Sequence, residues 1–306
     1  MLKEKKVFYG LYAFALVIFL AGLIVGSFKD LDISKALYDS NSVFGLIFAS
    51  FGELPCWLLI NIAGVSLIRI FSKEKKSVKK IAFIIIGALL ICAATYFNYN
   101  SMGSKWNGLS NYLAWYYILI LSLVIEGLMV LFAFKFVNND DKETVLKVIA
   151  IFAIACALEL IIIYILKFIF LRPRYRLIYD GYPGYNVDVL FRNWYEVGAG
   201  FAKTLFTDAP IEQFRSFPSG HTGDATTALL LFYLPLLNKK TKDKEYLKYI
   251  FFGFGLLWAM TVALSRIVYG AHYLSDVSFG GLMTIISAFF TISVITRKKN
   301  KEKQVK

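Results

Sequence analysis

Eight long apolar runs constrain this chain more than any other feature of its sequence. Runs of about twenty apolar residues are long enough to cross the hydrocarbon core of a bilayer as helices. The runs cover residues 7–28, 43–71, 80–98, 112–137, 144–170, 222–237, 246–268 and 271–296. The second run contains Glu53 and Pro55, together with three glycines, which predicts a kinked or re-entrant span. The sequence therefore predicts an all-α protein, a polytopic transmembrane helix bundle of about eight spans.

The composition agrees with a membrane protein and excludes other classes. Hydrophobic residues make up 58% of the 306 residues and charged residues only 18%. A soluble domain is closer to half apolar and a quarter charged. This hydrophobicity excludes a disordered chain, and the three cysteines, all within apolar runs, are too few for a disulfide scaffold. The first run is too long for the core of a signal peptide, so we expect it to be a retained anchor.

The positive charges predict the orientation of the chain in the membrane. The net charge is +13, and most of the 34 lysines and arginines lie at the two termini and in alternate connections. This distribution is typical of cytoplasmic loops rather than of a nucleic-acid surface, so no nucleic-acid partner is expected. We expect a multi-pass protein of the plasma (inner) membrane with both termini cytoplasmic. The long connection 171–221 would then be extracytoplasmic, and its aromatic content favours an ordered segment.

The only two histidines lie where apolar runs meet this same outer side. His221 follows Pro218-Ser219-Gly220 at the start of the sixth run, and His272 lies where the seventh run turns into the eighth. Asp276 follows His272 by four residues in a segment that we expect to begin a helix, which would place both on one face. The carboxylate could then accept one imidazole N–H and leave the other nitrogen free for nucleophilic attack.

Basic side chains and backbone amides close to the histidines suit an anion. Arg266 precedes His272 by six residues, and its planar guanidinium matches phosphate oxygens. The backbone N–H groups of Gly220 and His221 would lie at a helix N-terminus, where anions bind.

A third group of cations ends the fifth apolar run. It comprises Lys167, Arg172 and Arg174, although side chains at this position could instead extend toward lipid headgroups. Together the three groups favour phosphoryl transfer through a phosphohistidine, for which no cofactor and no metal are expected.

These residues resemble the signature of the type 2 phosphatidic acid phosphatase superfamily, the lipid phosphate phosphatases. The signature is Lys, six residues, Arg-Pro; then Pro-Ser-Gly-His; then Ser-Arg, five residues, His, three residues, Asp. The second and third parts are matched in full, by Pro218-Ser219-Gly220-His221 and by Ser265-Arg266, His272 and Asp276. In the first part Lys167 and Arg174 have the family spacing, but Tyr175 replaces the proline, and the pair Arg172-Pro173 lies two residues too early.

The resemblance implies a role for each matched residue. His272 would be the nucleophile, Asp276 its orienting partner, and His221 the general acid and later the base. The residues that would bind the substrate phosphate are Lys167, Arg174, Ser219, Gly220 and Arg266. Arg172 is the reserve candidate for the place given to Arg174.

The resemblance also implies a domain organisation. A six-helix phosphatase core would cover residues 80–296, preceded by a two-span extension, 1–79, and followed by a basic cytoplasmic tail, 297–306. The resemblance assigns no role to the extension, and the sequence does not determine the oligomeric state.

The function expected from the sequence is hydrolysis of a terminal phosphate on a lipid, with membrane lipids as partners. Undecaprenyl pyrophosphate, phosphatidylglycerol phosphate and phosphatidic acid all present such a phosphate. Two alternatives stay open: a lipid phosphotransferase with the same phosphohistidine chemistry, and a non-catalytic lipid-binding or transport relative.

Overall fold

The structure, a computed structural model, describes residues 2–104, 108–181 and 186–297. Within these ranges all regular secondary structure is helical. The α-helices are α1 (Leu2–Leu37), α2 (Val43–Phe51), α3 (Leu54–Ser72), α4 (Val78–Met102), α5 (Trp115–Phe136), α6 (Lys142–Phe170), α7 (Tyr175–Asp180), α8 (Val187–Leu190), α9 (Phe201–Leu205), α10 (Gly220–Thr226), α11 (Glu245–Val268) and α12 (Leu274–Ile295). The prediction for the tail lies outside the described residues beyond Arg297.

Seven segments of the described chain are long and apolar enough to cross a membrane. They are α1, α2 together with α3, α4, α5, α6, α11 and α12. The first helix is longer at both ends than the predicted span 7–28, because polar residues flank its apolar centre on the same continuous helix. The predicted transmembrane helix bundle is confirmed.

The sixth predicted span, 222–237, forms an irregular helical segment. Helix α10 continues directly into a 3-10 helix, Thr227–Leu237. Every residue from 222 to 237 is buried, so other helices rather than lipid surround this segment. With rises of about 1.5 and 2.0 Å per residue, the two helices together extend for about 30 Å. That length fits the hydrocarbon core of a bilayer and is compatible with an eighth crossing.

The second span is broken, as its glutamate, proline and glycines predict. Helix α2 ends at Phe51, and Gly52 and Glu53 separate it from α3. Pro55 lies in the first turn of α3, where its missing N–H costs no helical hydrogen bond. The break leaves the Glu53 side chain inside the bundle, where it lines a cavity described below.

Site residues are carried where long helices end. Helix α6 ends because Leu171 has a left-handed backbone, with φ +48°, and because Pro173 disfavours a helical residue before it. Gly270, with φ +61°, turns the chain between α11 and α12, and a Cβ there would lie 2.5 Å from the Tyr38 ring. His272 lies in this turn, so the prediction that it begins a helix is wrong. The Asp276 carboxylate caps α12 through the Tyr273 N–H, at 2.8 Å, and the helix begins at Leu274.

The long connection 171–221 is compact over its described residues. Its short helices pack around a hydrophobic cluster that includes Tyr175, Leu190 and Phe214 together with Tyr273 of the α11–α12 turn. The bundle itself has a larger core cluster to which α1, α3, α6 and α12 all contribute. The first two spans and the remaining spans therefore share one core.

Candidate active site

A cavity of about 490 Å³ opens beside the end of α6. One part of its wall is polar and carries charges of both signs. It contains Lys167, Arg174, Arg215 and His221 together with the carboxyl groups of Glu53, Glu212 and Asp224. Another part is apolar and is formed by side chains of α3, α4 and α6, namely Trp57, Phe97, Leu160, Ile163 and Phe168. The cavity therefore joins a charged region to a surface suited to hydrocarbon.

His272 is oriented by a main-chain carbonyl. Its Nδ1 lies 2.6 Å from the Ser216 carbonyl oxygen, and only 1% of the residue is exposed. Because a carbonyl only accepts hydrogen bonds, Nδ1 carries the proton and donates it. Nε2 lies 3.2 Å from an Arg174 Nη1 and accepts from that guanidinium. The lone pair available for nucleophilic attack is therefore on Nε2.

Burial and neighbouring charge keep the His272 imidazole neutral. Desolvation lowers the pKa of His272 well below its usual range, and the positive charges of Arg174 and Lys167 lower it further. Because the pKa is lowered, the neutral imidazole is retained into acidic conditions. The neutral imidazole is also the form that can act as a nucleophile.

Asp276 contacts His272 less directly than the sequence predicts. Its Oδ2 lies 3.9 Å from the imidazole Nδ1, beyond hydrogen-bond distance. The same oxygen accepts from the Ser216 hydroxyl at 2.5 Å and from the Tyr273 N–H at 2.8 Å. Ser216 therefore mediates between the two residues, because its hydroxyl binds the carboxylate and its carbonyl binds the imidazole.

The two arginines of the first motif have different surroundings. Arg174 lines the cavity, and its Nη1 contacts both His272 and the Ala271 carbonyl oxygen, the latter at 2.8 Å. Arg172 is 0% exposed, and its guanidinium is bonded to the carboxylates of Asp30 and Asp276. Arg174 is therefore open to a molecule in the cavity, whereas two carboxylates occupy the Arg172 guanidinium.

Lys167 and Arg266 approach the site from different helices. The Lys167 Nζ donates to the Arg215 carbonyl oxygen at 3.1 Å and lies on the cavity wall. Arg266, at the end of α11, is fully buried, and its guanidinium donates to the Gly45 carbonyl oxygen of α2. One Arg266 nitrogen, Nη1, has no hydrogen-bond partner among the described residues. This nitrogen is a donor still available to an anion.

The predicted helix start at the Pro-Ser-Gly-His motif is confirmed. Helix α10 begins at Gly220, and the Ser219 hydroxyl accepts from the Thr222 N–H at 3.3 Å. The Ser219 N–H donates to the Asp276 carbonyl oxygen at 3.0 Å, which ties this start to α12. Gly220 lies on the cavity wall, whereas Ser219 is completely buried. The Ser219 side chain therefore serves as a helix cap in this structure.

His221 is held by the broken second span. Its Nε2 lies 3.1 Å from the Ala49 carbonyl oxygen and 3.5 Å from a Glu53 carboxylate oxygen. Both partners belong to residues 1–79, outside the six-helix core that the resemblance implies. His221 also lines the cavity, so an imidazole and a carboxylate lie together on its wall.

Sequence reasoning missed several residues of this site. Asp30, Ser216 and Arg215 belong to no motif, and Glu53 stands out in the sequence as a feature of a kinked span and as an acidic residue within a span. The one available signal was the cost of a charged side chain within or beside an apolar run, which marks Asp30 and Glu53 as candidates for pairing. No sequence pattern identifies a main-chain acceptor such as the Ser216 carbonyl.

Fold and site together define a helical membrane protein with a charged cavity beside two histidines, of which His272 is buried. A family model, the PAP2 superfamily, matches residues 147–300, about half of the chain. The chain therefore belongs to the PAP2 superfamily, the type 2 phosphatidic acid phosphatases, as its motifs indicate. The match covers all three motifs. Searches among curated proteins and among solved structures found no significant match.

Proposed function

We propose that this protein is a membrane-embedded phosphatase that removes a terminal phosphate from a lipid phosphate or pyrophosphate. The observation that carries the proposal is the cavity, in which cations and His221 lie next to an apolar wall. A lipid could place its phosphate against Lys167 and Arg174 while its chain remains among the side chains of α3, α4 and α6. Undecaprenyl pyrophosphate, phosphatidylglycerol phosphate and phosphatidic acid all have this form.

The proposed reaction has two steps. In the first, the substrate phosphate draws the Arg174 guanidinium from Nε2 of His272, and Nε2 attacks phosphorus. A P–N bond forms, the P–O bond to the lipid breaks, and the His221 imidazolium, which lies beside the Glu53 carboxylate, donates a proton to the leaving oxygen and becomes neutral. Lys167, Arg174 and Arg266 stabilise the negative charge of the transferred group. This step yields a dephosphorylated lipid and a phosphohistidine.

In the second step water cleaves the phosphohistidine. His221 accepts a proton from the attacking water, the P–N bond breaks, and inorganic phosphate leaves. The cations of the cavity and Arg266 supply the positive charge that a metal provides in other phosphatases, so we expect activity without a metal ion. The clustering of lysine and arginine on the opposite connections supports an extracytoplasmic position for this site.

The first experiment is phosphate release by purified protein in detergent. Wild type and His272→Ala would each be supplied with the three candidate lipids in the presence of EDTA. We expect release by wild type, loss of at least about a thousandfold in the variant, and trapping of a phosphorylated His272 after acid-free quenching. Arg266→Gln, which removes a proposed phosphate ligand but no nucleophile, should retain residual release and the phosphohistidine.

Three outcomes would contradict the proposal. Release that EDTA abolishes would contradict the metal-independent mechanism, and release that survives in His272→Ala would contradict the nucleophile. If folded wild type transfers phosphate only when an acceptor lipid is added, the protein is a phosphotransferase with the same covalent intermediate.

A further inference from the structure

Arg172 is a buried charge that the proposed reaction does not use. It is 0% exposed and does not line the cavity. Its guanidinium lies 4.0 Å from the centre of the Tyr273 ring, which covers one face. A buried guanidinium is stable only where its N–H groups and its charge are matched by acceptors. The identity of those acceptors therefore indicates what Arg172 is for.

The guanidinium bridges two buried carboxylates. Nη1 donates to Asp276 Oδ1 at 2.6 Å, and Nη2 donates to Asp30 Oδ2 at 2.9 Å. Nη1 also contacts the Ser275 hydroxyl at 2.9 Å, and Nε donates to the Arg192 carbonyl oxygen at 2.7 Å. The planar fork of arginine makes such a bridge possible, whereas a single ammonium group is a point charge.

Asp30 anchors this bridge from the first helix. It is 3% exposed near the end of α1, and its Oδ1 accepts from the Ser275 N–H of α12 at 2.8 Å. Its Oδ2 accepts from the Ser275 hydroxyl as well as from Arg172. Asp30 therefore fixes the guanidinium and the first turn of α12 together.

The bridge leads directly to the nucleophile. Arg172 holds Oδ1 of Asp276, while Oδ2 holds the Ser216 hydroxyl, and the Ser216 carbonyl oxygen accepts from His272 Nδ1. Each contact is 2.9 Å or shorter, and all five side chains are nearly or completely buried.

We propose that Asp30 is a positioning residue for phosphoryl transfer, acting through Arg172, Asp276 and Ser216 on the orientation of His272. This inference rests on the proposed function, and it gives the N-terminal two-span extension a part in the reaction. It also accounts for the departure from the family signature, because the additional arginine at 172 has its partner, Asp30, in the extension.

A purely structural ion pair would make a different prediction about pH. The charged and titratable groups that face His272 are Arg174 and Lys167 beside the cavity, His221 of α10 and Asp276 of α12. Asp30→Asn removes one negative charge behind Asp276, so the surroundings of His272 become more positive. A positive environment disfavours imidazolium and so lowers the pKa of His272. The acid limb of the pH profile, which is the fall in kcat at low pH, should therefore move to lower pH. Loss of folded protein alone would not move this limb.

The test compares Asp30→Asn with Asp32→Asn on the same helix. Asp32 is exposed and pairs with Lys29 at the surface, so its change serves as a matched control. For Asp30→Asn we expect kcat to fall about 10- to 100-fold, with little change in KM, because the nucleophile is misplaced rather than lost. We expect the acid limb to move to lower pH, and both quantities to stay at wild-type values in the control.

A second variant protects the test against a failure to fold. Arg172→Lys keeps the positive charge but cannot bridge both carboxylates, so kcat should fall about tenfold while the acid limb stays at the wild-type pH. Wild-type kcat in either Asp30→Asn or Arg172→Lys, or a reduced kcat with an unmoved acid limb in folded Asp30→Asn, would overturn the inference. An inactive wild type would overturn the proposed function instead, and the inference with it.

Discussion

The two histidines are suited to different tasks because different groups hold their ring nitrogens. His272 donates from Nδ1 to a carbonyl oxygen and faces a guanidinium with Nε2. His221 has a carbonyl oxygen and a carboxylate near Nε2. A neutral ring beside cations suits a nucleophile, and a ring beside a carboxylate suits proton transfer. The proposed division of roles thus follows from local partners.

Arg174→Gln should change the pH dependence of the reaction as well as its rate. The guanidinium beside Nε2 lowers the pKa of His272, so its removal should raise that pKa. Attack requires the neutral imidazole, and the acid limb of kcat/KM should therefore move to higher pH. Phosphate release measured across a pH series, by wild type and variant, would show this displacement.

Lys203→Gln provides the control for this prediction. Lys203 is an exposed residue of α9, so the same loss of charge there should leave the acid limb unchanged. An acid limb that stays in place in Arg174→Gln would show that the guanidinium does not face the nucleophile in solution.

Much of the candidate site was predictable at the residue scale, and there is a physical reason why the rest was not. The motif spacing indicated the two histidines, Asp276, Arg174 and Lys167, and the structure brings these near one another. The predicted hydrogen bond from the His272 imidazole to the Asp276 carboxylate is absent, because Ser216 binds both residues instead. Such mediation depends on the path of a loop 56 residues earlier in the chain, which local spacing cannot report.

At the scale of elements, close helix contacts determine the wall of the cavity. Helices α3 and α4 cross where Gly64 faces Gly87, and a Cβ on Gly64 would lie 2.6 Å from the Gly87 carbonyl oxygen. Small residues at crossings allow such approach of two backbones in membranes. Trp57 of α3 and Phe97 of α4, whose rings stack with centroids 5.1 Å apart, then lie together on the cavity wall.

Gly64→Ala should therefore destabilise the bundle. The new methyl group meets a backbone atom that cannot rotate away, and overpacking of this kind costs about 1–3 kcal/mol. Thermal unfolding in detergent would measure the loss. Gly127→Ala is the matched control, because a Cβ on Gly127 of α5 meets nothing within 4 Å and alanine is the better helix former. Equal stability of the two variants would contradict the proposed crossing.

The elements were mostly predictable because their hydrophobic length is a local property. The predicted spans correspond to helical segments of the structure. Glu53, Pro55 and the glycines also predicted the break between α2 and α3. The prediction that His272 lies in the first turn of the last helix was wrong, because α12 is capped by Tyr273 and Asp276 and begins only at Leu274.

At the scale of the whole molecule, residues of the first two spans contact the candidate site, although the family match does not include these spans. The matched region begins at residue 147, yet Asp30, the Gly45 and Ala49 carbonyls and Glu53 all contact site residues. Helices α1 and α3 also belong to the main hydrophobic core. We therefore expect the first two spans and the rest of the chain to behave as one structural unit.

Separate expression of the two parts tests this unity. A fragment of residues 77–306 retains every motif but lacks these contacts, so we expect no measurable phosphate release from it. Co-expression with a fragment of residues 1–76 should restore release, because preformed helices can associate within a membrane. Chains split at the loop before Ser77 keep every helix intact. Full activity of the longer fragment alone would show that the extension is dispensable.

The sequence by itself determined the helical membrane class, the family and the residues of the motifs, because hydrophobic length and motif spacing are properties of neighbouring residues. Only the tertiary structure decided which groups those residues contact. Asp30 meets Arg172 across 142 positions of the chain, and His221 meets the Ala49 carbonyl across 172. Such pairs form because buried charges and donors must find acceptors wherever packing places them. The packing of the first two spans against the rest thus decided how the site is completed.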